Sequence, residues 1–459
     1  AASEVTKYKP VIALKVGRFE AGQKAAASHT GALAGSEAAF DAAFAKAGVL
    51  RAETAEQLFD WARALENCPL PRGKRMAILT NAGGPGVIAA DSLETNGLVL
   101  SQLEKSTLEA LSSYLPPSAS THNPVDMLAS ASPENYATCL QLLLQDENVD
   151  GVLVILPPPP MFKAEEVAEK IIEVIGSFDK PVVIALMGST NVEKARSLFT
   201  SSHVPTYPFP ERAASALGVL AKRAEYLDHV DDGRLTTDHI VHRPSSVTND
   251  IDDLLTSYGI PTVSIKLARD ENEAVSIANT LGFPLVMKIA SPDILHKSDV
   301  GGVVLNIKDT TSLKSAYAKI IKRVEKLIPP PQIDGVHLQR QIPDGQEVII
   351  GMVRDPLFGA LMMFGSGGIE VEGLKDVAFA LAPLNQAEAR EMIRRTWAGR
   401  KLKGFRSIPP VDEDSVIDAL VKLSQLALEH ETIDEIEINP LRVLSKSAVA
   451  VDVRVKLRA

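Results

Sequence analysis

The chain has 459 residues, 45% hydrophobic and 23% charged, with a formal net charge of −10. That is material for about three domains of ordinary globular composition, which excludes a disordered chain. The acidic balance excludes a general nucleic-acid binder, because such a protein needs a basic surface to displace counterions.

In chain order, residues 10–16 read as a buried strand. Ser36 is a suitable N-cap for a helix over 37–47, with Phe40 and Phe44 on one face and Gly48 as its stop. Thr54 and Gln57 form a capping box for a second helix with an inner stripe of Leu58, Trp61 and Leu65. Apolar runs at 75–80, 152–156, 181–187 and 204–208 then alternate with helices near 85–96, 133–145, 163–177 and 191–201 and after Pro210, the signature of a parallel sheet. The stretch 226–249, rich in Asp, His, Thr and Ser, reads as a linker. Strands at 285–289, 303–307, 336–340, 348–353 and 361–364 follow closely, several as antiparallel pairs, and 435–444 with 448–457 forms a terminal hairpin. The strand at 10–16 has almost no chain before it, and the chain opens at Ala, so its α/β unit is expected to be completed by another chain or by upstream residues.

No apolar run approaches the roughly 20 residues of a membrane helix, and the first ten residues carry no hydrophobic signal core. Two distant cysteines, Cys68 and Cys139, give neither a disulfide framework nor a zinc cluster. A reduced, cytoplasmic setting is therefore expected, with neither membrane nor nucleic acid as a partner.

Four segments carry candidate chemistry. Ser28-His29-Thr30-Gly31 precedes the Ser36-capped helix. An imidazole there accepts a phosphoryl group or merely caps a turn. Thr80-Asn81-Ala82-Gly83-Gly84-Pro85-Gly86 joins a strand to a helix, the place for an anion site or for a plain tight turn. Lys288 lies inside an apolar strand, where an ammonium needs an anion, either an internal carboxylate or a ligand; His296 follows on a polar loop before Gly301 and Gly302. Glu435, Glu437 and Asn439 alternate along one strand, with Asp452 on the return strand to face them. These are either hard oxygen ligands for Mg²⁺ with a nucleotide or solvated acids. Gly367 and Gly368 lie in a Gly-rich turn that suits phosphates, a weak signal by itself.

Together these ordered motifs resemble the NDP-forming acyl-CoA synthetases, in particular the ADP-forming acetyl-CoA synthetase group, over nearly the whole chain. The resemblance implies an α/β fold class, with flavodoxin/Rossmann-like parallel-sheet ligase domains followed by an α+β ATP-grasp domain. Residues 1–72 would be the C-terminal part of a phosphohistidine ligase domain, 73–226 a second ligase domain, 227–248 a linker and 249–459 the ATP-grasp domain. It implies His29 as the phosphorylated nucleophile and His296 as the histidine that ferries the phosphoryl group, with Gly31, Gly83, Gly84 and Gly86 facing phosphate. Lys288, Gln339, Glu347, Gly367 and Gly368 would surround the nucleotide, and Asn439, Asp452 and Glu437 would hold Mg²⁺. The activity implied is a reversible acid–CoA ligase using ATP/ADP, phosphate, a small carboxylic acid and CoA. The family's CoA-binding domain and the first half of its phosphohistidine domain have no counterpart here, so a CoA-binding domain or subunit and an oligomeric assembly are implied partners. The alternatives are a module coupled to another acyl-CoA reaction, such as a lyase step, and a non-catalytic nucleotide-binding fragment.

Overall fold

The computed structural model describes residues 1–18, 36–231, 251–294, 297, 300–327, 329–367 and 376–458. Contacts divide the chain into two compact units, Ala1–Thr236 and Thr237–Ala459.

The first unit opens with α1 (Ala2–Val5), β1 (Val11–Leu14), α2 (Glu37–Ala47), β2 (Val49–Ala52) and α3 (Ala55–Asn67). Contrary to the buried strand expected, β1 is only half-buried along its length. A parallel neighbour is supplied from within the chain by β2, in a register running from Val11 opposite Val49 to Leu14 opposite Ala52. The Ser36 hydroxyl accepts the Ala39 N–H at 3.1 Å, and Gly48 closes α2 at φ +66°. A β-carbon on Gly48 would run into the Tyr226 ring, so both backbone angle and space demand glycine there. Thr54 caps α3 as expected, accepting the Gln57 N–H at 3.1 Å. The reciprocal bond differs: the Gln57 side chain reaches past the cap and accepts the Glu53 N–H at 2.7 Å.

A parallel sheet follows, made of β3 (Arg75–Thr80), β4 (Val99–Leu100), β5 (Val125–Asp126), β6 (Gly151–Leu156), β7 (Val182–Leu186) and β8 (Thr206–Tyr207). Its order is β4-β3-β6-β7-β8, with β5 also paired to β3. The intervening helices are α4 (Gly83–Thr95), α5 (Lys105–Tyr114), α6 (Pro133–Gln145), α7 (Ala164–Ile175), α8 (Glu193–Ser201) and α9 (Pro210–Asp231). The central strands are apolar on both faces because each face is covered: Leu79, Val154 and Ile184 enter one core, and Ile78, Ile155 and Val183 the other. The helix α9 continues to Asp231, into the stretch read as linker, and its Tyr226 hydroxyl lies 3.0 Å from the Thr6 hydroxyl. Half-buried Tyr226, Leu227 and Val230 carry the helical period further than the polar composition suggested.

The second unit contains two sheets. Strands β9 (Ile265–Ala268), β10 (Leu285–Ala290), β11 (Val303–Ile307) and β12 (Gly335–Arg340) form one, in the order β11-β10-β12-β9 and antiparallel throughout. The helices α11 (Glu271–Leu281) and α12 (Thr310–Val324) cover one face, after a preceding α10 (Ile251–Ser257). The other sheet runs β15-β14-β13-β16-β17, with β18 also on β16. Its strands are β13 (Gln346–Asp355), β14 (Gly359–Ser366), β15 (Val377–Leu381), β16 (Ile433–Val443), β17 (Ala448–Ala450) and β18 (Val453–Leu457). Helices α13 (Gln386–Arg394), α14 (Trp397–Leu402) and α15 (Glu413–Glu429) pack on one face over a core that includes Ile350, Phe364, Leu420 and Ile438. Each sheet therefore buries one face and leaves the other for polar side chains. The expected terminal hairpin is present, its return strand broken at Val451 and Asp452.

Candidate functional site

In the second unit the candidate residues gather on the polar faces. Lys288 of β10 pairs directly with His337 of β12, and Val286 with Gln339. Strand alternation then puts Lys288, His337 and Gln339 on one face, while Met287, Ile289, Val336 and Leu338 fill the core on the other. Among the described residues, no hydrogen bond or ion pair engages the Lys288 ammonium. Burial lowers its pKa; the Asp452 carboxylate opposes this, and Lys297 adds to it. Burial prevails, so the protein supplies less negative charge than this ammonium needs. Gln339 is 2% exposed and its carbonyl oxygen has no hydrogen-bond partner among the described residues. An orphaned buried acceptor of this kind costs about 1–3 kcal/mol unless a ligand satisfies it.

On β13 and β16 the opposed residues Glu347 and Arg442 form an ion pair. Glu347 also lends its carbonyl to the Gly367 N–H at 3.2 Å. Gly367 sits where a β-carbon would lie 2.5 Å from the Val348 backbone, so close strand packing is reason enough for glycine there. The Asn439 N–H donates to the Asp452 carbonyl at 3.0 Å, and the Asn439 side-chain amide donates to Glu437 at 3.4 Å. These three residues adjoin, and their oxygens suit a hard cation. Carboxylate and amide oxygens are the donor chemistry Mg²⁺ takes, although among the described residues no group of three or more His, Cys, Asp or Glu side chains is gathered as a metal site. Glu435 lies on the same strand face at its exposed end.

In the first unit Gly83, Gly84 and Gly86 do not form a loop ahead of the helix; they make up the opening turn of α4. The sheet order places that turn beside the junction of β3 and β6, where the connections leave to opposite sides, the usual crevice for ligands in flavodoxin-like sheets. No β-carbon contact limits Gly84, whereas one on Gly83 would lie 3.2 Å from the Asp126 carboxylate. Asn81, 4% exposed, has a side-chain oxygen without a partner among the described residues. The helix start thus meets both a carboxylate and an unsatisfied amide oxygen, which sequence reasoning did not single out.

His29, Gly31, His296 and Gly368 lie outside the described residues. The residues flanking two of these segments are tied together. Glu37 accepts from Lys15 at 2.7 Å and from Arg18 at 2.9 Å, joining the two sides of 19–35. The Ser366 hydroxyl donates to Asp376 at 2.9 Å across 368–375. Near 295–299, the Arg323 guanidinium donates to the Gly301 carbonyl at 3.1 Å, and Gly301 has φ +64°. His337 was also missed; its position two residues before Gln339, on the same strand face, was the available signal.

Comparison with known proteins fits this architecture. Residues 1–65 match the succinyl-CoA ligase like flavodoxin domain, 76–228 the Ligase-CoA domain and 243–457 the ATP-grasp domain. The class is that of flavodoxin-like ligase units joined to an ATP-grasp unit. The chain is 39% identical over 470 positions to an ADP-forming acetate–CoA ligase I of Archaeoglobus fulgidus, covering 99% of this chain and 67% of that protein. It is 34% identical to the ADP-forming 4-hydroxybutyrate–CoA ligase of Nitrosopumilus maritimus, covering 98% and 66%. It is 46% identical to the beta subunit of the ADP-forming acetate–CoA ligase I of Pyrococcus furiosus, covering 45% and 88%. The chain belongs to the family of ADP-forming acyl–CoA ligases, and it spans about two thirds of the length of the first two relatives.

Proposed function

We propose that this chain is the phosphotransfer and nucleotide-binding portion of a reversible, ADP-forming acid–CoA ligase. The observation that carries this reading is Lys288, a half-buried ammonium with no hydrogen bond or ion pair among the described residues, beside the unsatisfied Gln339 side-chain oxygen and near Asp452. A nucleotide polyphosphate supplies the charge this site lacks, and Glu347 and Gly367 would line the same nucleotide pocket. Asn439, Asp452 and Glu437 would hold Mg²⁺, which neutralises phosphate charge when bound.

The relay proceeds by balanced displacements. The His296 imidazole attacks the γ-phosphorus of ATP, the bond to the β-phosphate oxygen breaks, and ADP leaves. The group passes to the His29 nitrogen, then to a carboxylate oxygen of the acid, giving an acyl phosphate. The CoA thiolate attacks the acyl carbon and phosphate departs. Gly83, Gly84 and Gly86 at the start of α4, with Gly31, would receive the phosphoryl group through backbone amides. The acid is taken to be a small carboxylic acid, in keeping with the acetate and 4-hydroxybutyrate named for two relatives. Those relatives are longer than this chain, so the acid and CoA steps are proposed for an assembly that includes a CoA-binding domain or subunit. A reduced cytoplasm suits the two cysteines, which are free in the structure.

Incubation of that assembly with γ-labelled ATP and Mg²⁺ tests the relay. Acid-labile, base-stable label is expected on the protein, lost in His296→Ala and retained without turnover in His29→Ala. Wild-type labelling in the double variant would sink the proposal.

A further inference from the structure

We infer that the His337 imidazole is a further contact for the phosphate chain of the nucleotide, an assignment that rests on the nucleotide reading of the Lys288 site. The first argument is register. Lys288 and His337 are opposed across the antiparallel β10–β12 ladder, so their β-carbons stand about 5 Å apart on one face. Gln339 lies two residues further along β12 on that face, about 7 Å away. A nucleotide with its adenosine near Gln339 and its phosphates at Lys288 therefore extends along β12 past His337.

The second argument is hydrogen bonding. His337 is half-buried, and neither ring nitrogen is hydrogen-bonded to any described residue. A half-buried imidazole on the polar face of the sheet, without a hydrogen-bond partner among the described residues, has a donor and an acceptor to offer a ligand. Its surroundings point to an anion. Burial, Lys297 and Lys288 favour the neutral ring, while Asp452 and Asp334 act in the opposite direction. Burial and the two ammonium groups prevail, so the His337 pKa is lowered. A neutral ring still keeps one N–H to donate to a phosphate oxygen, and the phosphate's charge strengthens that bond.

Calorimetric titration of the full chain with ADP and Mg²⁺, and separately with adenosine, tests the assignment in His337→Leu, His337→Gln and Lys288→Met. For His337→Leu, which preserves bulk, ADP affinity is expected to fall about tenfold or more with adenosine affinity held within about twofold. His337→Gln, which retains an N–H donor, should recover most of the loss. Thermal melting without ligand checks that each variant is folded; if His337→Leu is not, a His337→Ala variant replaces it. Wild-type ADP affinity in both His337 variants, with Lys288→Met weakened, would overturn this assignment and spare the nucleotide site. Equal losses for ADP and adenosine would also overturn it, because the contact would then not be with phosphate. If Lys288→Met binds ADP normally, the nucleotide reading itself fails, and this inference with it.

Discussion

An ammonium in a half-buried strand position is tolerated only if something offsets its lost hydration, and for Lys288 the described residues provide the Asp452 carboxylate without a direct ion pair. Removing the charge while keeping the shape should therefore cost the empty protein nothing. Lys288→Met is expected to melt at or slightly above the wild-type temperature without nucleotide. It should lose the stabilisation that ADP confers on the wild type, about 2.7 kcal/mol at a hundredfold excess over Kd. A thermal shift series with increasing ADP checks both halves; a lowered melting point without nucleotide would mean that Lys288 is structural. Lys288 was legible in the sequence because a lysine interrupts an otherwise apolar run. His337 was not, because its importance comes from being opposite Lys288. That pairing comes from the β10–β12 register, which runs unbroken from Leu285 opposite Arg340 to Ala290 opposite Gly335 and joins strands distant in sequence, so no local pattern encodes it.

Among elements, the junction of β3 and β6 depends on one ion pair. Arg75, the first residue of β3, donates to Asp150 through its backbone N–H at 2.9 Å and its side chain at 3.0 and 2.9 Å. Asp150 directly precedes β6, so this pair fixes the register in which Met76 lies opposite Gly151. A β-carbon on Gly73 would lie 2.5 Å from the same carboxylate, so the turn before β3 is shaped around it. Burial pushes the Asp150 pKa up, but the bonds from Arg75 outweigh burial and hold it below the usual carboxylate value. A carboxyl depressed on folding contributes stability above its unfolded pKa of about 4 and loses it as pH falls through the folded value. Asp150→Asn should cost about 1–3 kcal/mol near neutral pH and flatten the acid limb of the stability curve. Urea unfolding across the acid range would measure both; an unchanged acid limb would refute this linkage. Most long elements of the first unit were legible from apolar runs and caps, although the ten-residue α5 was not. The strands β2, β4 and β5, of four, two and two residues, were not, being too short to show a period and held by partners distant in sequence.

Over the whole molecule, net charge says little about where anions bind. For a chain of −10, the anion sites proposed above are a helix start in one unit and a lysine-bearing strand in the other, both set by local geometry. The alternation of strands and helices followed by closely spaced strands made the sequence of architectures legible. The residues of the proposed phosphohistidine relay were legible only by resemblance, since a histidine in a glycine-rich loop carries no physical mark of its own. Among the described residues, no helix is long and apolar enough to cross a membrane. The two thiols have a separate, practical implication. Cys139 is fully enclosed, and Cys68 is half-buried with its thiol donating to the Val182 carbonyl at 3.7 Å; burial pushes both up to about 12. At neutral pH almost no thiolate forms, so maleimide should leave the native chain unmodified by mass until it is unfolded. A cysteine introduced at an exposed position such as Tyr8, 83% exposed, would then take up a fluorophore alone. The unaltered protein is thus a ready background for watching a single site by fluorescence during turnover.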